Sequence, residues 1–224
     1  MLKIYQVNKF FFDVIGSFFG ILILWPLIFI GWLVASISTQ SNGFFIQKRI
    51  GLGGREFNVI KLKTMKNTIG TVSSITALNE SRITSVGRVL RKYKLDELPQ
   101  LFNVVLGQMS FVGPRPDVAG YADKLNGKDR DILLLRPGIT GAATIYFKNE
   151  EELLNSVDNP KIFNDNIIYP LKTKINLEYS HNATIKSDFD LIIQTVLNKS
   201  LYSKSIKPFS SASECINKLE SYKC

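Results

Sequence analysis

The feature that most constrains this chain is an almost wholly apolar run at residues 10–37, interrupted by Asp13, Ser17 and a few small residues. A run of this length can cross a bilayer as a helix. About twenty aliphatic and aromatic residues, each contributing roughly −0.3 to −0.6 kcal/mol, outweigh a penalty of about 3 kcal/mol for Pro26 inside a helix. The sequence therefore predicts that this segment inserts into a membrane.

The topology of that segment has two open alternatives. Pro26 removes the helical hydrogen bond to the carbonyl of Leu22, which predicts a bend. Cations flank the run on both sides, at Lys3, Lys9, Lys48, Arg49 and Arg55. A single spanning helix usually has its excess of cations on the cytoplasmic side alone. Flanking charge at both ends suits a re-entrant hairpin, while a spanning helix that tolerates its proline is the equal alternative.

Composition limits the partners and the chemistry. The formal net charge of +9 indicates an anionic partner, which could be a nucleic acid, an acidic lipid or a phosphorylated substrate. His181 is the single histidine, which argues against Ser-His-Asp or multi-histidine metal chemistry. Cys215 and Cys224 lack metal-ligand spacing and fit a reducing compartment.

Beyond the apolar run, residues 44–50 and 55–61 have the composition of two strands around the turn Gly51-Leu52-Gly53-Gly54. No Gly-Lys-Ser/Thr follows those glycines, so they do not form a P-loop. Residues 67–81 are polar and rich in small side chains, and we expect a loop there.

The central stretch begins with two adjacent carboxylates, Asp96 and Glu97. Apolar residues then recur at helical spacing, at Leu98, Leu101, Phe102, Val105 and Leu106. The pattern predicts a helix with Asp96 as N-cap, Glu97 as its first residue and a stop at Gly107. Acidic residues are common at any helix start because they favour the positive end of the helix dipole. The cations on either side also suit phosphate chemistry with a divalent metal.

Two further segments could bind phosphate or serve only as turns. Arg115 lies between Pro114 and Pro116, which fix the backbone around a guanidinium suited to bidentate phosphate contact. Residues 136–141 form a glycine-punctuated turn whose backbone amides could approach a ligand. Lys61 lies beside two more lysines, either as a solvated face or as an anion site.

Several of these stretches resemble the bacterial sugar transferase family, the monotopic polyprenyl-phosphate phosphoglycosyl transferases of the small single-domain type. The matching motifs are, in order, Gln47-Lys48-Arg49-Ile50-Gly51, Lys61-Leu62-Lys63-Thr64-Met65, Arg82-Ile83-Thr84, Gly87-Arg88, Leu95-Asp96-Glu97-Leu98-Pro99-Gln100-Leu101, Met109-Ser110, residues 112–116, residues 136–141 and Tyr169-Pro170. The joint occurrence of Asp-Glu-Leu-Pro-Gln and Gly-Pro-Arg-Pro is highly specific.

The resemblance implies transfer of a sugar-1-phosphate from a UDP-sugar to polyprenyl (undecaprenyl) phosphate, with release of UMP, as the first membrane step of a bacterial glycoconjugate pathway. It implies that Asp96 is the nucleophile of a covalent intermediate and that Asp96 and Glu97 hold Mg²⁺. It further implies phosphate binding by Arg91, Arg115 and Lys61, and nucleotide binding by Arg136, Gly138 and Thr140. Three departures from the family pattern are Trp25 before Pro26, in place of serine, Lys63, in place of arginine, and Gln108, in place of aspartate.

We therefore expect an α+β, mostly helical fold. It would comprise a re-entrant helix-break-helix at residues 1–40, a cytoplasmic catalytic domain at residues 41–200 and a loosely ordered tail at residues 201–224. A small β-hairpin and amphipathic helices at the membrane interface would belong to the catalytic domain. The expected location is the inner membrane, with the lipid bilayer as a partner and no nucleic acid. The alternative is a membrane-anchored basic module that binds without catalysis.

Overall fold

The computed structural model describes residues 2–67, 82–202 and 205–222, with side chains described from Tyr5 onward. The loop predicted at residues 67–81 lies outside this range except for Asn67. The chain divides into two compact units. The first comprises Met1–Gly51 and Arg55–Ser110, and the second comprises Leu52–Gly54 and Phe111–Cys224. The fold is mostly helical with small antiparallel pairing, which confirms the α+β prediction.

The apolar run forms one helix, α1, at Leu2–Thr39 with Pro26 inside it. The sequence predicted a bend at Pro26, in either a re-entrant helix-break-helix or a spanning helix that tolerates its proline, and the structure has a single helical element through Pro26. A proline removes one hydrogen bond, and the turns on either side preserve the helix. At about 1.5 Å per residue, 38 residues extend about 57 Å, well beyond a hydrocarbon core of about 30 Å.

Polar residues of helix α1 face the rest of the first unit, and many of its large apolar residues face outward. Lys9, Asp13 and Ser17 are buried, and Lys9 Nζ lies 3.8 Å from Asp13 Oδ2. Large side chains including Phe11, Phe19, Ile23, Trp25, Phe29, Ile30 and Ile37 are exposed. A polar face buried against protein and an apolar face left outside is the arrangement expected of a helix in contact with lipid.

The rest of the first unit packs a hairpin and two short helices against α1. The strands β1 (Phe44–Ile50) and β2 (Glu56–Leu62) pair antiparallel, which confirms the predicted hairpin. Helix α2 spans Ser85–Lys92, and α3 spans Gln100–Val105. A buried cluster of Ala35, Leu62 and Leu90 joins α1, β2 and α2.

The core of the second unit lies among two short strands and the helices that follow them along the chain. The strands are β3 (Ser110–Val112) and β4 (Gly138–Thr140), paired with each other. The helices are α4 (Ala142–Tyr146), α5 (Glu150–Asn155), α6 (Pro160–Phe163), α7 (Tyr169–Asn182) and α8 (Ile185–Leu197). The core residues are Val112, Leu135, Ile145, Tyr179 and Leu191.

The C-terminal segment, which we expected to be loosely ordered, contains a helix. Helix α9 spans Ala212–Glu220 and buries Cys215 and Leu219. Just before it, Phe209 is buried with its ring 5.2 Å from that of Tyr146 and 5.1 Å from that of Phe147. The sequence signal was weak because this segment offers only a few widely spaced apolar residues. Their burial depends on the surface that receives them.

Candidate active site

The two carboxylates lie on a tight turn that precedes α3. Lys94 adopts a left-handed conformation with φ of 58°, and a 3-10 turn follows at Leu95–Glu97. The prediction that Asp96 is the N-cap of the helix was wrong, because α3 begins at Gln100 with Pro99 as its N-cap. The left-handed conformation of Lys94 precedes a separate 3-10 turn, and α3 begins about one turn later than the apolar spacing indicated. Both carboxylates therefore belong to the 3-10 turn.

Lys61 on β2 reaches this turn across the fold. Its Nζ lies 2.9 Å from Oε1 of Glu97, and Glu97 is only 8 % exposed. A buried carboxylate requires a charged or hydrogen-bonding partner, and the ammonium group of Lys61 supplies one. The pair joins residues that are 36 positions apart in the chain, and thereby attaches β2 to the carboxylate turn.

Opposing influences act on the pKa of Asp96. Burial raises the pKa above its usual value, and the neighbouring charge of Glu97 raises it further. The positive charges of Lys61, Arg91 and Lys94 lower it in part. The net direction is upward. Asp96 therefore sits in an environment in which three cations support an otherwise disfavoured carboxylate.

Helix α2 carries Arg91 into this group of charges. Thr84 caps the helix by accepting a hydrogen bond from the Gly87 amide, at 2.9 Å. Gly87 lies so close to the backbone carbonyl of Thr64 that a Cβ atom would be only 2.1 Å from the oxygen. That close approach fixes α2 against the segment following β2, and it explains why glycine is needed at this position. Arg91 lies in the last turn of α2.

In the second unit, backbone packing unites the two glycine-containing motifs. The Gly113 amide donates to the carbonyl of Thr140 at 2.9 Å, and the Gly138 amide donates to the carbonyl of Pro114 at 2.8 Å. A Cβ atom on Gly113 would lie 2.3 Å from the carbonyl oxygen of Arg136, and one on Gly138 would lie 2.1 Å from the Gly113 nitrogen. The two loops can meet only because both positions are glycine.

This packing occupies some of the groups expected to face a nucleotide. The Gly138 amide is bonded to Pro114, and the Thr140 hydroxyl lies 2.6 Å from the hydroxyl of Thr195. Arg115 and Arg136 are half-buried in the same unit, on the two loops that Gly113 and Gly138 join. The assignment of Arg136, Gly138 and Thr140 to nucleotide binding, and of Arg115 to phosphate binding, stays a prediction.

The structure adds residues that the sequence did not single out for the site. Lys94 contributes a positive charge next to Asp96, and its proximity in the chain was an available signal. Asn103 is completely buried, and its amide bonds to the backbone of β2. A polar residue among apolar helix positions was the only hint of that role.

The donor set suits magnesium held jointly with a phosphate substrate. Within residues 5–67, 82–202 and 205–222, side chains form no cluster of three or more potential metal-ligating His, Cys, Asp or Glu residues. Mg²⁺ typically uses one or two carboxylates and completes its shell with water and substrate phosphates. Asp96 and Glu97 provide such a pair, so these residues fit the ion.

The fold and the site together define a class of protein. A long apolar helix with an outward-facing apolar surface is joined to a carboxylate pair surrounded by cations. That combination is typical of a membrane-associated protein that acts on phosphorylated substrates.

Comparison with known proteins identifies the family. The sequence pattern of the bacterial sugar transferase family matches residues 4–200, and the chain belongs to this family. A UDP-glucose:undecaprenyl-phosphate glucose-1-phosphate transferase of Xanthomonas campestris pv. campestris is 33% identical over 199 residues, covering 86% of this chain and 39% of the relative. A UDP-N-acetylgalactosamine-undecaprenyl-phosphate N-acetylgalactosaminephosphotransferase of Aeromonas hydrophila is 33% identical over 149 residues, covering 63% of this chain and 34% of the relative.

A smaller relative matches over most of both chains. The exopolysaccharide production protein ExoY of Rhizobium meliloti (strain 1021) is 28% identical over 201 residues, which cover 83% of this chain and 82% of that protein. The chain thus spans between a third and two fifths of the length of the first two relatives, and most of the length of this one. The names of the first two relatives and the long apolar helix together indicate membrane association.

Proposed function

We propose that this chain is a phosphoglycosyl transferase that moves a sugar-1-phosphate from a UDP-sugar to polyprenyl phosphate and releases UMP. The observation that carries the proposal is the Asp96–Glu97 pair surrounded by Lys61, Arg91 and Lys94. Family membership and the printed activities of the relatives from Xanthomonas campestris and Aeromonas hydrophila support the substrate class.

In the first step, a carboxylate oxygen of Asp96 attacks the phosphorus that bears the sugar. A new bond forms between that oxygen and phosphorus, and the bond between phosphorus and the bridging oxygen of the diphosphate breaks. The bridging oxygen leaves with its electron pair as part of UMP. Covalent catalysis of this kind divides one difficult transfer into two easier steps.

In the second step, an oxygen of polyprenyl phosphate attacks the same phosphorus. The bond from Asp96 to phosphorus breaks, which regenerates the carboxylate and yields a polyprenyl diphosphate sugar. Lys61, Arg91 and Lys94 offset the repulsion between the Asp96 carboxylate and an anionic diphosphate. Asp96 and Glu97 would hold Mg²⁺, which when bound would supply further positive charge against the phosphates. Arg115 would bind phosphate oxygens through its guanidinium fork.

We further propose that the protein resides in the inner membrane with its site facing the cytoplasm, and that it begins assembly of a polysaccharide or related glycan. UDP-sugars are soluble and polyprenyl phosphate is embedded in lipid, so the site must lie where both can reach Asp96. The exposed apolar face of α1, in the same unit as Asp96, supports such a position.

The test is to incubate the purified full chain in detergent or nanodiscs with Mg²⁺, undecaprenyl phosphate and a panel of UDP-sugars, and to quantify UMP. One UDP-sugar should release UMP in amounts that match the lipid product. We expect Asp96→Asn to lower the rate by about 10³-fold or more, since loss of a nucleophile removes the main catalytic route. Asp158→Asn serves as the matched control, because Asp158 is exposed in the second unit.

Near-normal turnover by Asp96→Asn would show that another group is the nucleophile. Absence of UMP with every sugar, together with salt-sensitive binding to nucleic acid or acidic lipid, would favour the alternative of a basic binding module.

A further inference from the structure

Asn103 is a fully buried polar residue in α3 whose side chain binds the backbone of β2. Its Nδ2 donates to the carbonyl of Asn58 at 2.7 Å, and its Oδ1 accepts from the amide of Ile60 at 3.1 Å. Asn103 has no exposed surface. Burial of an amide is costly unless its donors and acceptor are satisfied, so these contacts require a specific geometry.

The amide of Asn103 takes the place of a neighbouring strand. Backbone groups of Asn58 and Ile60 point to the same side of β2, because alternate residues of a strand share an edge direction. On its other side β2 pairs with β1. Unpaired backbone groups at the edge of a strand need a partner when they are buried. Asn103 supplies both an acceptor and a donor, and so fixes the position of β2 along α3.

This contact lies beside Lys61. Lys61 follows Ile60 in β2, and its Nζ reaches Glu97 at 2.9 Å. Strand β2 is therefore held at two places. Asn103 of α3 binds its backbone, and the Lys61 side chain binds Glu97 in the turn that precedes α3. A shift of β2 along α3 would move the Lys61 ammonium away from Glu97 and change its distance from Asp96.

Gln108 completes the arrangement. Helix α3 ends in a turn in which the Gly107 amide donates to Val104 and the Gln108 amide donates to Asn103, both at 2.9 Å. Gly107 has φ of 70°, as this type of helix ending requires. The turn places Oε1 of Gln108 2.8 Å from Nδ2 of Asn103. Both hydrogens of the Asn103 amide group then have an acceptor, Asn58 and Gln108.

We infer that Asn103 is a positioning residue for the Asp96–Glu97 pair, that it acts by holding Lys61 in place through β2, and that Gln108 orients its amide. The inference rests on the proposed transferase function. It also gives a structural purpose to Gln108, where the sequence departs from the family pattern.

The test is a double-mutant cycle with Asn103→Ala, Lys61→Met and the double variant, measured as kcat and KM for UMP release. We expect Asn103→Ala to lower kcat by about tenfold to a hundredfold, the cost of a small misplacement of a catalytic group. The loss should fall on kcat, with the KM for the UDP-sugar little changed, because Asn103 contacts β2 and not the substrate. In the double variant the two losses should be much less than additive.

Two further variants separate positioning from general stability. Asn58→Ala removes an exposed side chain from the same strand while keeping the carbonyl that Asn103 uses, and should behave as wild type. Gln108→Leu removes only the acceptor that orients Asn103. This variant should lower kcat less than Asn103→Ala does. It tests the inference if Asn103→Ala does not fold.

A kcat unchanged in both Asn103→Ala and Gln108→Leu, or additive losses in the double variant, would overturn the inference while leaving the transferase function intact. A wild-type chain that releases no UMP would instead overturn the proposed function, and the inference with it.

Discussion

At the scale of single residues, the Asp96 carboxyl depends on its neighbours for its charge. Burial and Glu97 raise its pKa, and Lys61, Arg91 and Lys94 oppose that rise. In the proposed mechanism, only the ionised form of Asp96 attacks phosphorus. The rate of transfer should therefore fall as pH drops through the pKa of Asp96, and that fall should begin at a higher pH than for an exposed aspartate.

Lys61→Met should shift the acid limb of the pH–rate profile to higher pH. Removing this cation leaves burial and Glu97 to act with less opposition, so the pKa of Asp96 rises further. The measurement is kcat against pH, with Lys66→Met as control because Lys66 is exposed and is not among the charges acting on Asp96. A limb that moves to lower pH, or moves equally in the control, would contradict this account.

At the scale of elements, amphipathic segments expose apolar side chains on both units. Helix α3 buries Gln100 and Asn103 but leaves Phe102 and Leu106 exposed. Helix α8 exposes Phe189, Val196 and Leu197, and it buries Asp188 and Asp190. The exposed apolar side chains are compatible with the amphipathic helices predicted at the membrane interface, although a Lys/Arg-rich polar face is absent from both helices. Their contact with lipid stays a prediction.

The C-terminal segment contributes to the second unit beyond the family match, which ends at residue 200. Ile206 packs against its hydrophobic core, and the Phe209 amide donates to the carbonyl of Tyr146 at 2.9 Å. Helix α4, which contains Tyr146, directly follows Gly141. The segment therefore supports the helix behind the glycine-containing loops.

Phe209→Ala should destabilise the protein by about 3–5 kcal/mol, as expected for removal of a buried aromatic ring. The Tm of the detergent-solubilised chain should fall by about 2–4 °C for each kcal/mol lost. Ile216→Ala on α9 is the matched control, since Ile216 is 37% exposed. Equal Tm values for the two variants would show that the Phe209 packing contributes little.

At the scale of the whole molecule, α1 contacts the rest of the first unit along most of its length. Phe10 packs on Gly107, Gly20 on Leu101, and Gly31 on Leu62. The unit that these residues contact also carries the charged Asp96 site, which cannot lie within hydrocarbon. These contacts near both ends of α1 favour the re-entrant alternative over a spanning helix.

The topology can be tested with single cysteines, Lys3→Cys and Lys48→Cys, in a Cys224→Ser background where the remaining Cys215 is buried. A re-entrant helix predicts that a membrane-impermeant maleimide labels both positions in inverted vesicles and neither in intact spheroplasts. Labelling of position 3 only from the outside would establish a spanning helix. Detergent-treated samples control for intrinsic reactivity.

The sequence by itself determined the features that depend on neighbouring residues. The apolar run predicted α1, the glycines between two β-prone stretches predicted the β1–β2 hairpin, and Gly107 predicted the end of α3. Short-range preferences and hydrophobic periodicity are sufficient for such features. The motif around Asp96 also indicated the family. Local spacing, however, placed the start of α3 at the carboxylates, about one turn before the residue where α3 begins.

Only the tertiary structure decided which distant groups meet. Lys61 pairs with Glu97, Asn103 with the backbone of β2, Gly113 with the loop that contains Gly138, and Phe209 with Tyr146. None of these pairs has a periodic signature, because each depends on the surfaces that packing brings together. A lysine or asparagine that looks solvated in the sequence becomes part of the site when a buried carboxylate or a strand edge needs its charge or hydrogen bonds.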